Sequence, residues 1–281
     1  VHSAAGWALK KWQVDLPSAT TRSSQQESFQ WQTTREELTL LRISPGAFFR
    51  TTSAGRRVEV RVEEEFLISD REISVELFRR FIADDRYSRE TPVNWPGENV
   101  DVSPTGSHPV QQVSWHDAVM FCNWLSSRED RDACYVRSGD GNNDWQWVEE
   151  NDGYHLPTDA QWEFACRAGT DTRFACGDDD TFLDQYAVFR REDHTDPGGN
   201  RLCNAWGLFD MHGNVWEWVG AYAPEIAEES LDNGRPVPPS TKMLRGGSRG
   251  GTATQVQSDS RGWHHPTHRS LALGFRVVCR P

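Results

Sequence analysis

The chain has 281 residues, enough for one large domain or two ordinary ones, and its 13 Trp and 13 Phe argue against general disorder. Its 42 acidic and 30 basic residues give a formal net charge of −12, which opposes binding to nucleic acid or to anionic membranes. The sequence contains no run of 18 apolar residues, so no membrane-spanning helix is predicted. Six dispersed cysteines without a CxxC pair argue against a disulfide scaffold and favour the cytoplasm over secretion.

The first quarter of the chain is predicted to contain a helix followed by strands. We interpret residues 1–30 as a helix and linker, which either end an upstream domain or pack on a following domain, 31–281. Strand patterns flank a turn at 44–46. Apolar and charged residues then alternate over 58–69, which predicts one continuous strand with a solvent-facing side.

Three helices are predicted further along the chain, each with apolar residues at helical spacing behind a Ser or Thr N-cap. They cover 74–84, 114–129 and 158–169, and in the third Thr158 and Gln161 have the spacing of a capping box. From residue 170 onward no helical period exceeds two turns. A long irregular region inside a compact domain usually carries function or needs a ligand that staples it.

Four segments, taken in order, resemble a single protein family. They read PVQQVSWHDAVMFCNWL (109–125), YHLPTDAQWEFACRAGT (154–170), NAWGLFDMHGNVWEW (204–218) and LRGGS…LGFRVV (244–278). Together they are similar to the formylglycine-generating enzyme, or sulfatase-modifying factor, family. The resemblance implies an α+β, C-type-lectin-like fold in one domain, with two main helices, small antiparallel sheets and much irregular structure.

The family's activity depends on cysteines that this chain lacks. Similar enzymes oxidise a sulfatase cysteine to formylglycine, using a copper ion held by two cysteines a few residues beyond the RGGS motif. Here RGGS is Arg245–Ser248, and residues 249–270 contain no cysteine. Soft thiolates suit Cu(I), so loss of both removes the metal. We therefore expect no copper and no enzyme activity.

The cysteine-free segment 249–272 is the predicted ligand-binding surface. It resembles the variable region of diversity-generating retroelement proteins, which also runs between an RGGS-type and a GFR-type strand. Leu244, Phe275 and Val277 are expected to anchor its two ends in the core. The ligand is expected to be a protein or another macromolecule, and the oligomeric state stays open. The predicted contact residues are Arg249, Thr252, Thr254, Asp259, Trp263, His264, His265 and His268, with Trp216 beneath them.

Two other functions stay open from the sequence. One is a metal-dependent oxidase of the same family with a different ligand set, for example the imidazoles of HHPTH at 264–268. Their spacing suits zinc or copper bound on a turn. Pro266 makes a pair of metal ligands on consecutive turns of a helix less favourable. The simpler interpretation is three histidines on the surface with no metal. The other is a regulatory domain of a larger chain.

A calcium site is predicted in DMHGNVWEW at 210–218. The resemblance implies a structural calcium ion bound by the Asp210 side chain, the Gly213 and Val215 carbonyls, and Glu217. Calcium takes six to eight oxygens, mixing carboxylates with carbonyls, and can staple an irregular loop. The alternative is a tight loop in which the two carboxylates accept backbone N–H bonds.

Overall fold

Three α-helices and several small sheets make up the regular structure of the described residues. The predicted helix and linker at 1–30 lie outside the residues that are described. None of the helices in the described ranges has the length and apolar character needed to cross a bilayer. In this computed structural model the described residues are 31–51, 55–85, 93–138, 145–220, 231–232, 235–236 and 240–281.

All three predicted helices are confirmed. They could be predicted because the capping residues at the N-terminus of each helix lie close together in the sequence. Ser114 and Asp117 form a reciprocal capping box at the second helix, and Thr158 and Gln161 form the predicted one at the third. The third helix ends at Arg167 and is capped by Ala168, which takes a left-handed φ of 47°, one residue before the predicted cap Gly169. The helices are α1 (Val75–Ile82), α2 (Trp115–Arg128) and α3 (Asp159–Arg167).

The strands are short and are numbered in chain order. They are β1 (Trp31–Thr33), β2 (Thr39–Ile43), β3 (Gly46–Thr51), β4 (Arg57–Val62), β5 (Phe66–Ser69), β6 (Tyr135–Arg137), β7 (Trp145–Trp147), β8 (Trp216–Trp218), β9 (Leu231–Asp232), β10 (Arg235–Pro236), β11 (Lys242–Arg245), β12 (Arg261–His264), β13 (Leu273–Phe275) and β14 (Val278–Cys279).

The prediction of one continuous strand over 58–69 is wrong, because this segment forms two strands, β4 and β5. β4 pairs with β3 in a separate hairpin and is mostly exposed, whereas every residue of β5 is buried. β5 lies between β2 and β14 in a sheet of order β1-β2-β5-β14. The alternation ends where the chain passes from a solvated hairpin into a fully covered sheet.

A second four-stranded sheet carries the ends of segment 249–272. Its order is β12-β11-β8-β13, with β13 parallel to β8 and the other pairs antiparallel. This places β12 at an edge. β3 with β4, β6 with β7 and β9 with β10 form two-stranded hairpins.

Two apolar clusters pack on opposite faces of this second sheet. Leu244 and Phe275 belong to the cluster that includes α2, and Met243 belongs to the cluster that includes α3. Adjacent residues of a strand point to opposite faces, so Met243 and Leu244 separate as expected. Leu244, Phe275 and Val277 are 2%, 0% and 0% exposed, which confirms the predicted anchors.

Candidate functional site

Segment 249–272 lies in the partly buried connection between β11 and β13. It contains a 3-10 helix, Ala253–Val256, and the edge strand β12. Val256 and Ser258 have no exposed surface, and the Ser258 amide donates to the Arg173 carbonyl at 2.8 Å. The first half of the segment is therefore anchored by its own buried residues as well as by its ends.

His212 fixes the 3-10 helix of this segment from below. Its Nδ1 lies 2.8 Å from the Val256 carbonyl oxygen, and its Nε2 lies 3.0 Å from the Ala175 amide nitrogen. Burial lowers the pKa of His212 to about 4. The neutral ring donates through Nδ1 and accepts through Nε2, so it joins two loops with one side chain.

Five of the predicted contact residues in the segment are exposed: Thr252, Thr254, Asp259, His264 and His265. Arg249 differs, because it is only 9% exposed. Its Nε donates to the Asp193 carbonyl at 3.1 Å and its Nη1 to the Leu271 carbonyl at 2.8 Å. Arg249 thus ties the start of the segment to its end and to a neighbouring loop, which corrects its placement as a surface contact.

The remaining predicted contacts do not share one face. Trp263 packs against the α3 cluster, whereas Trp216 packs against the α2 cluster on the other side of the sheet. His264 follows Trp263 in β12 and therefore points away from it. His264 is exposed and stacks on the half-buried His268. The structure brings this histidine pair together and separates it from Trp263.

A buried set of charges, here called the arginine clamp, holds both flanks of the segment's first half. Arg245 of β11 and Arg261 of β12 reach the carboxylates of Asp159 and Glu163 on α3. The clamp comprises Arg50, Arg167, Arg245 and Arg261 around Asp159 and Glu163.

The clamp contains four guanidinium groups and two carboxylates. Glu163 is 0% exposed, and its Oε2 accepts from Arg50 at 2.7 Å, from Arg261 at 3.1 Å and from Arg245. Burial opposes ionisation of Asp159, yet the facing guanidinium groups hold its pKa below the ordinary range. Both carboxylates stay charged and fix β3, β11 and β12 to α3.

A second buried set, the acidic cluster, comprises Glu72, Asp210 and Glu217 with Arg276. The Arg276 guanidinium binds both oxygens of Glu217, at 2.6 and 2.7 Å. Glu72 accepts from the Asn214 side chain at 2.7 Å and from the Val215 amide at 3.2 Å. These bonds hold the loop that precedes β8.

The carboxylates of the acidic cluster outnumber its guanidinium group. Burial, followed by the charges of Asp210 and Glu217, raises the pKa of Glu72 well above its ordinary value. Burial also raises the pKa of Asp210 to about 6, against the opposing hydrogen bond from the Gly199 amide. The pKa values of Glu72 and Asp210 are therefore raised, whereas those of Asp159 and Glu163 in the clamp are lowered.

The geometry fits the predicted calcium ion at one ligand and opposes it at another. Asp210 Oδ1 is buried and has no hydrogen-bond partner among the described residues, as expected beside a cation. Glu217 is already filled by Arg276 and by the Trp162 indole N–H at 2.7 Å. In the described ranges, no three His, Cys, Asp or Glu side chains group around a possible metal position. Calcium binding through Asp210, Gly213, Val215 and Glu217 stays a prediction.

Four of the six cysteine thiols are buried, those of Cys122, Cys134, Cys166 and Cys279. Cys122 and Cys166 have no exposed surface. Burial raises the pKa of Cys166 to about 12 and that of Cys122 well above its ordinary value. Thiols of this kind stay protonated near neutral pH, and the thiolate is the form that binds metal or attacks a substrate.

A cavity of about 380 Å³ adjoins the exposed side of the segment. Asp259 lines it together with Phe49 and Arg57 of the β3–β4 hairpin and with Arg167 of the clamp. The hairpin had no predicted role in binding. Its contribution to this cavity depends on tertiary pairing that no local motif signals.

Comparison with known proteins places this fold in a family. The sulfatase-modifying factor enzyme 1-like domain matches residues 25–281. The chain belongs to that family. The formylglycine-generating enzyme of Streptomyces coelicolor is 26% identical over 217 residues, which cover 65% of this chain and 56% of that enzyme. The serine/threonine-protein kinase pkn1 of Chlamydia caviae is 26% identical over 258 residues, covering 84% of this chain and 37% of the kinase.

A solved structure of a similar protein provides the fold comparison. Variable protein 1 of Treponema denticola superimposes with a TM-score of 0.70 at 26% identity, covering 87% of this chain and 95% of that protein. The predicted α+β, C-type-lectin-like fold of the formylglycine-generating-enzyme type is confirmed. This chain spans about half of the Streptomyces enzyme and a smaller share of the kinase.

Proposed function

We propose that this sulfatase-modifying-factor-like chain is a non-catalytic binding protein that recognises a protein or another macromolecule through segment 249–272. The observation that carries the proposal is a cysteine-free segment mounted on buried supports. The absence of cysteine from 249–270 removes the copper ligands implied for the family's oxidases. The arginine clamp and His212 hold the segment in place while several of its side chains face solvent.

Rigid supports with exposed polar side chains suit recognition of a broad surface. A preorganised segment loses little conformational freedom on binding, so more of its contact energy contributes to affinity. Thr252, Thr254, Asp259 and His265 supply adaptable hydrogen-bonding and charged groups. The similarity to a variable protein, at 26% identity over nearly all of its length, supports a display role for this scaffold.

Two measurements test the proposal. Incubation with copper, oxygen and a sulfatase-type peptide should leave the peptide cysteine unmodified by mass spectrometry, and formylglycine formation would contradict the non-catalytic assignment. For binding, a triple variant, Thr254→Ala, Asp259→Ala and His265→Ala, should lose partners that wild type captures.

The control for the binding test carries substitutions outside the segment. Asp101→Ala with Thr105→Ala changes two exposed residues and should retain the same partners. If both variants keep every partner with unchanged affinity, segment 249–272 is not the binding surface. Matched melting curves exclude loss of the fold as the reason for lost binding.

A second candidate is a regulatory domain within a longer protein. The similarity to a kinase, of which the matching region is only 37%, favours this alternative. An antibody against the chain should then detect a native protein clearly larger than 32.0 kDa. A native protein of 32.0 kDa would contradict this alternative.

A further inference from the structure

The cavity beside segment 249–272 is lined mainly by charged side chains. Its volume of about 380 Å³ lies at the lower end of the range for ligand sites. Guanidinium groups and carboxylates line it in equal number, and they belong to Arg57, Arg167, Arg173, Asp171, Asp178 and Asp259. The remaining lining residues are Phe49, Thr51 and Thr172. Which charge an occupant needs therefore depends on which of these groups already have a partner.

Ion pairs already engage all three guanidinium groups of the cavity. The pairs are Arg57 with Asp171, Arg173 with Asp178, and Arg167 with Glu163 of the clamp. The Arg173 backbone amide also donates to Asp178 Oδ1 at 2.8 Å, and Arg167 donates to Glu163 Oε1 at 2.8 and 3.0 Å. An anionic occupant would have to compete with these carboxylates for their guanidinium groups.

Asp259 is the charged lining residue that lacks a counterion. Its backbone carbonyl accepts from Arg261 Nη1 at 3.3 Å, but within the described part of the chain no ion pair or hydrogen bond engages its carboxylate. The side chain is exposed. The chain as a whole carries a net charge of −12, which attracts cationic partners at long range. A cationic occupant would thus gain a partner at Asp259 without displacing an existing pair.

We propose that this cavity receives a basic side chain, lysine or arginine, of a bound protein, with Asp259 as its counterion. Phe49 is 42% exposed, and the methylene stem of a long basic side chain can cover such apolar surface. Arg167 is buried and belongs to the clamp, in which guanidinium groups outnumber carboxylates. The cationic group therefore stays at the exposed end, beside Asp259. This inference rests on the proposed function and names the chemistry of the partner at the same surface.

Selection from a random peptide library displayed on phage tests the proposal, with the full chain as bait. Wild type should enrich peptides that contain Lys and Arg relative to the unselected library. Asp259→Asn should lose this enrichment and bind a selected peptide about fivefold more weakly, the upper end for one exposed ion pair. Asp259→Lys should instead enrich Asp and Glu. Asp101→Asn is the matched control, since it removes the same charge at an exposed position outside the cavity and should leave binding unchanged.

Further substitutions test the apolar wall and the charge of the occupant separately. Phe49→Ala should weaken the selected peptide, whereas Phe182→Ala should not, because Phe182 is 61% exposed but lies outside the cavity. Melting curves exclude loss of the fold in both variants. In an arginine-bearing peptide, citrulline in place of the arginine keeps its shape and removes its charge. That peptide should bind wild type more weakly than the arginine peptide does, and Asp259→Asn should no longer distinguish the two.

Three results would overturn the inference. Wild type that enriches acidic peptides would indicate an anion site at the guanidinium groups, and no enrichment of basic peptides would leave the cavity without its occupant. Equal weakening by Asp259→Asn and Asp101→Asn would mean that only net charge matters. The proposed function is tested separately by the Thr254→Ala, His265→Ala double variant. Partners lost by this double variant but fully retained by Asp259→Asn would keep segment 249–272 as the binding surface and reject the cavity.

Discussion

The arginine clamp and the acidic cluster are both buried, both contain carboxylates and guanidinium groups, and both hold elements of the second sheet in place. They differ in balance. The clamp has four guanidinium groups for two carboxylates, whereas two guanidinium groups, Arg276 and the more distant Arg71, act on the three carboxylates of the acidic cluster. The pKa of Asp159 is lowered and that of Asp210 is raised to about 6.

Burial alone therefore does not decide what a charged residue contributes to stability. Desolvation disfavours the charged form in both places, and the number of opposite charges within reach decides whether it is overcome. In the clamp, ionised carboxylates stabilise the fold. In the acidic cluster, ionisation of Asp210 destabilises it unless a cation is bound.

The largest expected effect comes from removing charge from the clamp. Glu163→Gln should lower the free energy of unfolding by about 3–5 kcal/mol, because buried guanidinium groups would lose their shared partner. Urea denaturation measures the change. Glu59→Gln is the matched control, since its ion pair with Arg61 is exposed and should contribute at most about 1 kcal/mol. Equal stability of the two variants would show that the clamp does not stabilise the fold.

Asp210→Asn should have the opposite sign in the absence of bound metal. The folded-state pKa of Asp210, about 6, exceeds its ordinary value of 3.8, so the folded state binds the proton more tightly than the unfolded state does. Wild-type stability should then fall as pH rises from 4 to 7, and Asp210→Asn should gain roughly 3 kcal/mol relative to it over that window.

The Asn side chain is a conservative replacement at this position. It keeps an acceptor for the Gly199 amide and tolerates the left-handed φ of 57° at residue 210. Asp159→Asn is the comparison, because the pKa of Asp159 is lowered and its neutralisation should destabilise at pH 7. Parallel pH profiles for the two variants would contradict the difference between the clusters.

Calcium sharpens the comparison further, because a cation would balance the acidic cluster. If Ca²⁺ binds, a hundredfold excess over Kd should stabilise wild type by roughly 2.7 kcal/mol, and a chelator should remove this gain. Asp210→Asn should abolish the calcium effect while remaining folded in chelator. A melting temperature that does not respond to calcium, after unfolding and refolding in chelator, would exclude the predicted ion.

The smallest effects are expected from exposed side chains that belong to neither the arginine clamp nor the acidic cluster. Thr254→Ala and Asp259→Ala should each change the free energy of unfolding by about 0.5 kcal/mol or less, since both side chains are exposed. Val256→Ala, two residues from Thr254 but 0% exposed, should cost roughly 2 kcal/mol. A destabilising Thr254→Ala would mean that the exposed side chains of the segment are structural.

The elements that the sequence predicted well depend on neighbours along the chain. In each of α2 and α3 the two residues of the capping box lie three positions apart, so the pattern can be recognised in the sequence. The division of 58–69 into β4 and β5 could not, because burial of β5 depends on strands at both of its sides.

The supports of the candidate site were also beyond local prediction. Arg50 and Glu163 are 113 residues apart, and Arg245 and Glu163 are 82 apart. Asp159 and Glu163 lie four residues apart on α3, which indicates a shared helix face but not which cations cover it. The same limit explains why Arg249 was expected to be exposed.

The arginine clamp also has a consequence for how the chain folds. Its charges come from β3, from α3 and from β11 and β12 near the end of the chain. Asp159 and Glu163 would meet only part of their counter-charge in a chain still lacking β11 and β12, and desolvating them at that stage would be costly. We therefore expect the clamp to close late. Because such distant contacts slow folding, the closing of the clamp should be a slow step.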